Sequence, residues 1–393
     1  MVIKMSYNFV TAPDRRNTGA SKWNDMMVKI PEVPDEVVPL SVADMEFKNP
    51  PEIIEGLKAY LDHTVLGYTE ATNDYYDSVI SWMERRHGFC PRKEWFVMTA
   101  GVVPAVKEMV AHFTAPGDSV LMLTPIYYPF YSCIEENGRT VLGSELILED
   151  REYRIDFEDF EKKASRPKTT LFILCSPHNP IGRIWTKEEL LKLCDICYRN
   201  HVFVISDEIH FDLILPGFKH TSLGTLEDKY LNNCAICTAP SKTFNLAGLQ
   251  TSNIFISNED YRKKMTEARG YFSLNIFGYK ACEIAYNQCE VWLDELLGQL
   301  DENRILVEDF VGRRMPEVKV HRLQGTYLMW LDFRAWNMTD KELEDFMLHK
   351  AFAVFDEGYI FGEGGKGFER MNIACPKQIL EETLERIAAA RSQ

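Results

Sequence analysis

The chain has 393 residues, 46% hydrophobic and 26% charged, which is the balance of a globular protein long enough for two or three domains. A net charge of −15 argues against a nucleic-acid partner, and the short basic pairs Arg85-Arg86 and Arg313-Arg314 read as solvated surface. No apolar run approaches the roughly 20 residues that span a bilayer, and the N-terminal MVIKMSYNFVTAPDRR lacks the apolar core of a signal peptide, so a cytoplasmic address is expected.

Along the chain, short apolar runs alternate with helical patterns. The runs are SVLMLTP (119–125), TLFILCSP (170–177), HVFVISDE (201–208), NCAICTAP (233–240) and SNIFIS (252–257). Continuous runs rich in β-branched and aromatic residues suit strands buried on both faces. Thr186-Lys187-Glu188-Glu189 forms a capping box that opens an amphipathic helix ending near Asn200. Strand–helix–strand repetition of this kind predicts a mainly parallel α/β sheet flanked by helices.

Ten cysteines in such a chain read as reduced, partly buried thiols. Two pairs have C-x-x-C spacing. Cys194/Cys197 fall in a helical pattern, and Cys234/Cys237 fall in an apolar run where positions three apart face opposite ways, so core packing is expected and no metal. The last hundred residues differ. A long helical stretch from about 281 to 314 leads into VKVHRL, TYLMWLDF and further helices, an α+β pattern. A large α/β domain is therefore expected at 48–285, with a smaller α+β domain built from 1–47 and 286–393. No internal repeat or flexible linker separates them.

In a parallel α/β sheet, ligands bind at the carboxyl ends of the strands. Asn179, Asp207 and Lys242 each fall at or just after such an end. Singly, each has an ordinary reading: Asn179-Pro180-Ile181-Gly182 as a turn, Asp207-Glu208 as a charged loop, Lys242 as a solvated lysine. Together they would place an amide, a carboxylate and an amine in one pocket. A pyridine cofactor held through an imine needs that set: the lysine for attachment, the carboxylate to keep the ring nitrogen protonated, and a donor for the ring oxygen.

SPHNPIGRIWTKEEL (176–190), ISDEIHFD (205–212) and APSKTFNLAGLQTSN (239–253) resemble, in order and spacing, the fold-type I pyridoxal-phosphate enzymes, which include aminotransferases and many C–S lyases. The resemblance covers nearly the whole chain. It implies that Lys242 carries pyridoxal 5′-phosphate as a Schiff base, that Asp207 pairs with the pyridine nitrogen, and that Asn179 bonds the ring hydroxyl. Tyr127 in TPIYYPF matches the aromatic that stacks on the ring. TAGVVPAV (99–106) matches the phosphate grip through the amides of Val102 and Val103, a use of helix N-termini that also holds on general grounds, and Ser241 adds a hydroxyl. Arg370 in FERMNIA matches the arginine that clamps the substrate carboxylate, for which its fork is suited. Tyr68 in LGYTE matches a tyrosine that reaches the partner's phosphate, which implies a homodimer.

The departures narrow the resemblance. A tyrosine commonly stands where this chain has His210, and an arginine on the phosphate often stands where it has Gln250. With SVADMEF (41–47), these features resemble the cystathionine β-lyase and cysteine C–S lyase subgroup. His210 is open to three readings: a neighbour of the ring oxygen, a proton shuttle, or a satisfied core histidine. The implied activity is α,β-elimination from cystathionine or other S-substituted cysteines to a thiol, pyruvate and ammonia. The alternative is an aminotransferase of aromatic or neutral amino acids.

Overall fold

The computed structural model describes residues 7–269 and 273–392. Nine strands come from the first two-thirds of the chain: β1 (Phe96–Thr99), β2 (Ser119–Thr124), β3 (Thr140–Glu145), β4 (Ile147–Glu149), β5 (Glu152–Arg154), β6 (Thr169–Cys175), β7 (Phe203–Asp207), β8 (Cys234–Thr238) and β9 (Ser252–Ile256). β4 and β5 form a separate two-stranded ribbon. The other seven form one sheet in the order β1-β9-β8-β7-β6-β2-β3.

β3, β2, β6, β7 and β8 run parallel, and β9 alone reverses direction, pairing antiparallel with both β8 and β1. The mainly parallel sheet expected from the apolar runs is present. The reversal of β9 has no signature in SNIFIS, because strand direction is decided by the length and path of the connection, not by residue pattern.

The runs are continuous because both faces are covered. Phe172 and Leu174 of β6 enter one core, and Leu171, Ile173 and Cys175 enter the other. Cys234 and Cys237 of β8 likewise divide between the two cores, whereas Cys194 and Cys197 both face the first. The capping box forms as expected: the Thr186 hydroxyl accepts from Glu189 N–H, and the Glu189 carboxylate accepts from Thr186 N–H. The helix it opens spans Lys187–Arg199.

The long helical stretch near 281–314 is two helices, Ile276–Gln288 and Glu290–Arg314, broken at Cys289. Cys289 is fully buried and non-helical (φ −107°, ψ 19°), which turns Trp292 and Leu293 into the core. One residue out of register is too small a change for a periodicity reading to catch.

Beyond these helices lies a second, antiparallel sheet in the order β10-β11-β13-β12, from β10 (Lys319–Val320), β11 (Leu328–Asp332), β12 (Asp356–Glu357) and β13 (Phe368–Asn372). The N-terminal segment runs against this end of the chain: Leu40 N–H donates to Val354 O, Asn372 N–H to Leu40 O, and Glu46 N–H to Ala374 O. Among the described residues no helix is long and apolar enough to cross a membrane.

Candidate active site

Because β1, β2, β6, β7 and β8 point the same way, their carboxyl ends open on one edge of the sheet. The helix Val102–Phe113 starts just after β1, Tyr127 follows β2, Asn179 follows β6, and Asp207 ends β7. Ser241 and Lys242 lie on the short helix Pro240–Thr243 after β8. A single cleft, open at its mouth, is lined by Val102, Val103, Tyr127, Asn179, Asp207, His210, Ser241 and Lys242. Eight residues singled out in the sequence therefore share one cavity.

Arg370 lies beside it. β13 pairs with β12 so that Arg370 stands opposite Asp356. Its Nε and Nη2 donate to Asp356 Oδ2 at 3.1 and 2.6 Å, its Nη1 donates to Asn179 Oδ1 at 2.8 Å, and the Phe361 ring lies 4.7 Å from its Cζ. Arg370 is 1% exposed. A buried guanidinium is costly unless paired, and Asp356 supplies the pairing. Because Arg370 occupies Asn179 Oδ1, the amide orientation is set, and Asn179 Nδ2 is the arm left to donate into the cleft.

The electrostatics follow from burial and neighbours. Burial, with Arg370 and Lys22, lowers the Lys242 amine to about 8, against the opposing pull of Asp44 and Asp207. Burial raises the Asp207 carboxyl to about 7, opposed by the Ile209 N–H donated to its Oδ1 at 3.0 Å and by Lys242. Burial, Lys242 and Arg370 all push His210 well below the usual imidazole range, so it is neutral near pH 7. His210 Nδ1 is buried without a hydrogen-bond partner. Burial also raises the Tyr127 hydroxyl.

Tyr68 is placed differently. It does not line this cleft and is 97% exposed, in a stretch where Val65 (86%) and Leu66 (62%) are exposed too.

Other residues contribute without having been visible in the sequence. The Ala43 carbonyl accepts from Lys242 Nζ at 2.8 Å and from the Tyr327 hydroxyl at 2.9 Å. Asp356 holds Arg370, and Thr251 lines the cleft next to Gln250, the departure already marked in the sequence. A backbone carbonyl leaves no mark in residue type. Asp356 becomes findable only once its cross-strand register with Arg370 is known.

The donor set fits the cofactor that the sequence implies. Val102 and Val103 stand in the first turn of a helix, whose N–H groups have no acceptor within the helix and favour an anion. Ser241 stands in the same cleft, and Asp207 and Lys242 supply a carboxylate and an amine at adjoining strand ends. The buried, unpartnered His210 Nδ1 leaves a polar position for a bound group to meet.

Residues 35–387 match the model of the family described as aminotransferase class I and II. The chain is 43% identical to a cystathionine β-lyase, PatB, of Bacillus subtilis over 98% of this chain and all of that one. It is similar to the crystal structure of cystalysin from Treponema denticola, which contains pyridoxal 5′-phosphate: TM-score 0.97 and 48% identity, over 99% of each chain. It is also similar to a pyridoxal-phosphate-bound C–S lyase of Staphylococcus hominis, with TM-score 0.92 and 31% identity over 99% of each chain.

Proposed function

Because the chain belongs to the aminotransferase class I and II family, we infer that it is a pyridoxal-phosphate-dependent carbon–sulfur lyase. It cleaves cystathionine or related S-substituted cysteines by α,β-elimination to a thiol, pyruvate and ammonia. The observation that carries the reading is a part-buried amine, Lys242, in one cleft with a buried carboxylate, Asp207, at adjoining strand ends, in a chain similar over its full length to a cystathionine β-lyase.

When bound, pyridoxal phosphate supplies an aldehyde that takes up amines and a ring that accepts electrons. Lys242 attaches it. Asp207 would keep a proton on the ring nitrogen, and that proton's charge would stabilise the Asp207 carboxylate in turn. Asn179 Nδ2 would donate to the ring oxygen, Tyr127 would supply an aromatic surface for the ring, and His210, neutral, would sit in the same cleft without adding charge. The amides of Val102 and Val103 and the Ser241 hydroxyl would hold the phosphate with neutral donors, with Gln250 in the place where an arginine would add a charge.

Arg370 presents its guanidinium to the substrate carboxylate, held in orientation by Asp356 and Asn179. The Lys242 amine, with a proton affinity near neutrality, takes the proton from the substrate Cα and holds it on Nζ. Tyr68 belongs to the neighbouring subunit's phosphate site in a homodimer; its exposure outside its own cleft supports that assignment.

The test is turnover of cystathionine with no keto acid added. A lyase releases pyruvate, ammonia and homocysteine steadily over many turnovers. One stoichiometric burst that leaves pyridoxamine phosphate, with turnover restored only by a keto acid, would replace this reading with an aminotransferase.

A further inference from the structure

SVADMEF (41–47) carries part of the resemblance, yet no step above uses its side chains. In the structure its backbone is held by side chains from distant parts of the chain. Val42 N–H donates to Asp356 Oδ2 at 2.9 Å, and Val42 O accepts from Asn372 Nδ2 at 2.8 Å. Asp44 O accepts from Asn372 Nδ2 at 2.7 Å and from Lys22 Nζ at 3.0 Å. Asn245 takes Met45 N–H on its Oδ1 and donates to Met45 O from its Nδ2. The carbonyl of Ala43, between Val42 and Asp44, receives the Lys242 amine. Asp44 is thus fixed one residue from the atom on which Lys242 rests.

The Asp44 carboxylate belongs to a compact charged cluster. Lys22 Nζ lies 2.9 Å from Asp44 Oδ1 and 2.7 Å from Glu46 Oε1, with Lys22 and Glu46 each only 1% exposed. Arg15 reaches Asp44 Oδ2 at 2.7 Å and Glu46 Oε1 at 2.8 Å. Burial pushes the Asp44 carboxyl up, but Lys22 and Arg15 more than offset it, so it is ionised.

We propose that this cluster sets the proton affinity of Lys242, with Asp44 as a positioning residue that raises it and Lys22 as the counterweight that lowers it. The other groups that bear on Lys242 are Arg370 of β13, Asp207 of β7, His210 after β7, and Tyr327, whose hydroxyl shares the Ala43 carbonyl. His210 is neutral, and Arg370 is matched by Asp356. On the proposed function, Asp207 would be engaged by the protonated ring nitrogen once the cofactor is in place. Asp44 is then the anion left to oppose the burial that strips the amine of its proton. A base that must accept a proton from carbon needs that opposition, because burial alone would leave the amine too weak.

The inference rests on Lys242 as the reactive amine, and the test separates the two. In the apoprotein, competitive acetylation with acetic anhydride across a pH series, read by peptide mass spectrometry, gives the midpoint of Lys242 reactivity directly. It requires neither cofactor nor turnover. Asp44→Asn should move that midpoint to lower pH, by about half to one pH unit given the partial neutralisation by Lys22 and Arg15. Lys22→Met should move it the opposite way by a similar amount. The acid limb of kcat in the loaded enzyme should follow in the same two directions. A purely structural role would lower activity in both variants without moving the midpoints apart. An unchanged midpoint in either variant, or shifts of the same sign, overturns the proposal; if Asp44→Asn does not fold, a failure of Lys22→Met to move the midpoint upward does so alone. Attachment of the cofactor to another lysine would instead undo the assignment of Lys242, whatever these midpoints are.

Discussion

At the scale of single residues, what the sequence disclosed was side-chain chemistry at predictable places. Asn179, Asp207 and Lys242 were legible because each is a polar residue ending an apolar run, and runs buried on both faces leave only their ends for chemistry. Ala43, Tyr327 and Asp356 were not, because one acts through its backbone and the others arrive from the second sheet or the residue leading into it. Two predictions belong here. Borohydride reduction of the loaded enzyme should fix the cofactor on Lys242, as peptide mapping would show; an adduct on another lysine removes the assignment. Arg370→Lys keeps the charge but cannot donate to Asp356 and Asn179 at once and still present a fork to the substrate. Its KM for cystathionine should rise at least about tenfold, the loss of one charge-assisted hydrogen bond, while the cofactor stays bound with its visible absorbance intact. A KM close to that of the parent enzyme would show that the carboxylate is held elsewhere.

At the scale of elements, periodicity located the helices and strands but not their joints. The break at Cys289 and the reversal of β9 are set by tertiary packing and chain path, to which local patterns are blind. The turn after β6 is a joint where local chemistry and packing agree. Gly182 has φ +66° and accepts contacts no other residue could: a Cβ there would lie 2.3 Å from Leu323 Cδ1 and 3.2 Å from Gly325 O. Leu323 is 1% exposed, so its side chain must repack within the core to make way. The same turn carries Asn179, through Gly182 N–H donated to His178 O. Gly182→Ala should therefore destabilise the protein by about 2 kcal/mol or more, from left-handed backbone strain plus overpacking, seen as a lower urea midpoint. It should also weaken substrate binding, because the Asn179–Arg370 contact shifts with the turn. Unchanged stability would mean that Leu323 repacks freely, against its burial.

At the scale of the molecule, the alternation of apolar runs and helical patterns made the sheet architecture legible, because each strand records its own burial. Assembly left a weaker trace, since an interface is written as exposed apolar residues only once the fold is known. Here Val65, Leu66 and Tyr68 stand exposed together, on the segment between the helices Pro51–Leu61 and Asn73–His87. If Tyr68 completes the neighbour's phosphate site, the active species is a homodimer with two shared sites related by a twofold axis. Subunit mixing tests this without a structure of the dimer. Tyr68→Ala and Lys242→Ala each impair every site of their own homodimer. In a mixed dimer, one site takes Lys242 from the Tyr68→Ala subunit and Tyr68 from the Lys242→Ala subunit, so it is intact, while the other site carries both defects. At equal mixing and random exchange, half the dimers are hybrids with one intact site of two. Activity should therefore climb toward about a quarter of the parent value, a ceiling that follows from the twofold symmetry. If verified exchange leaves activity at the average of the two variants, Tyr68 serves its own subunit or none, and the shared-site arrangement is wrong.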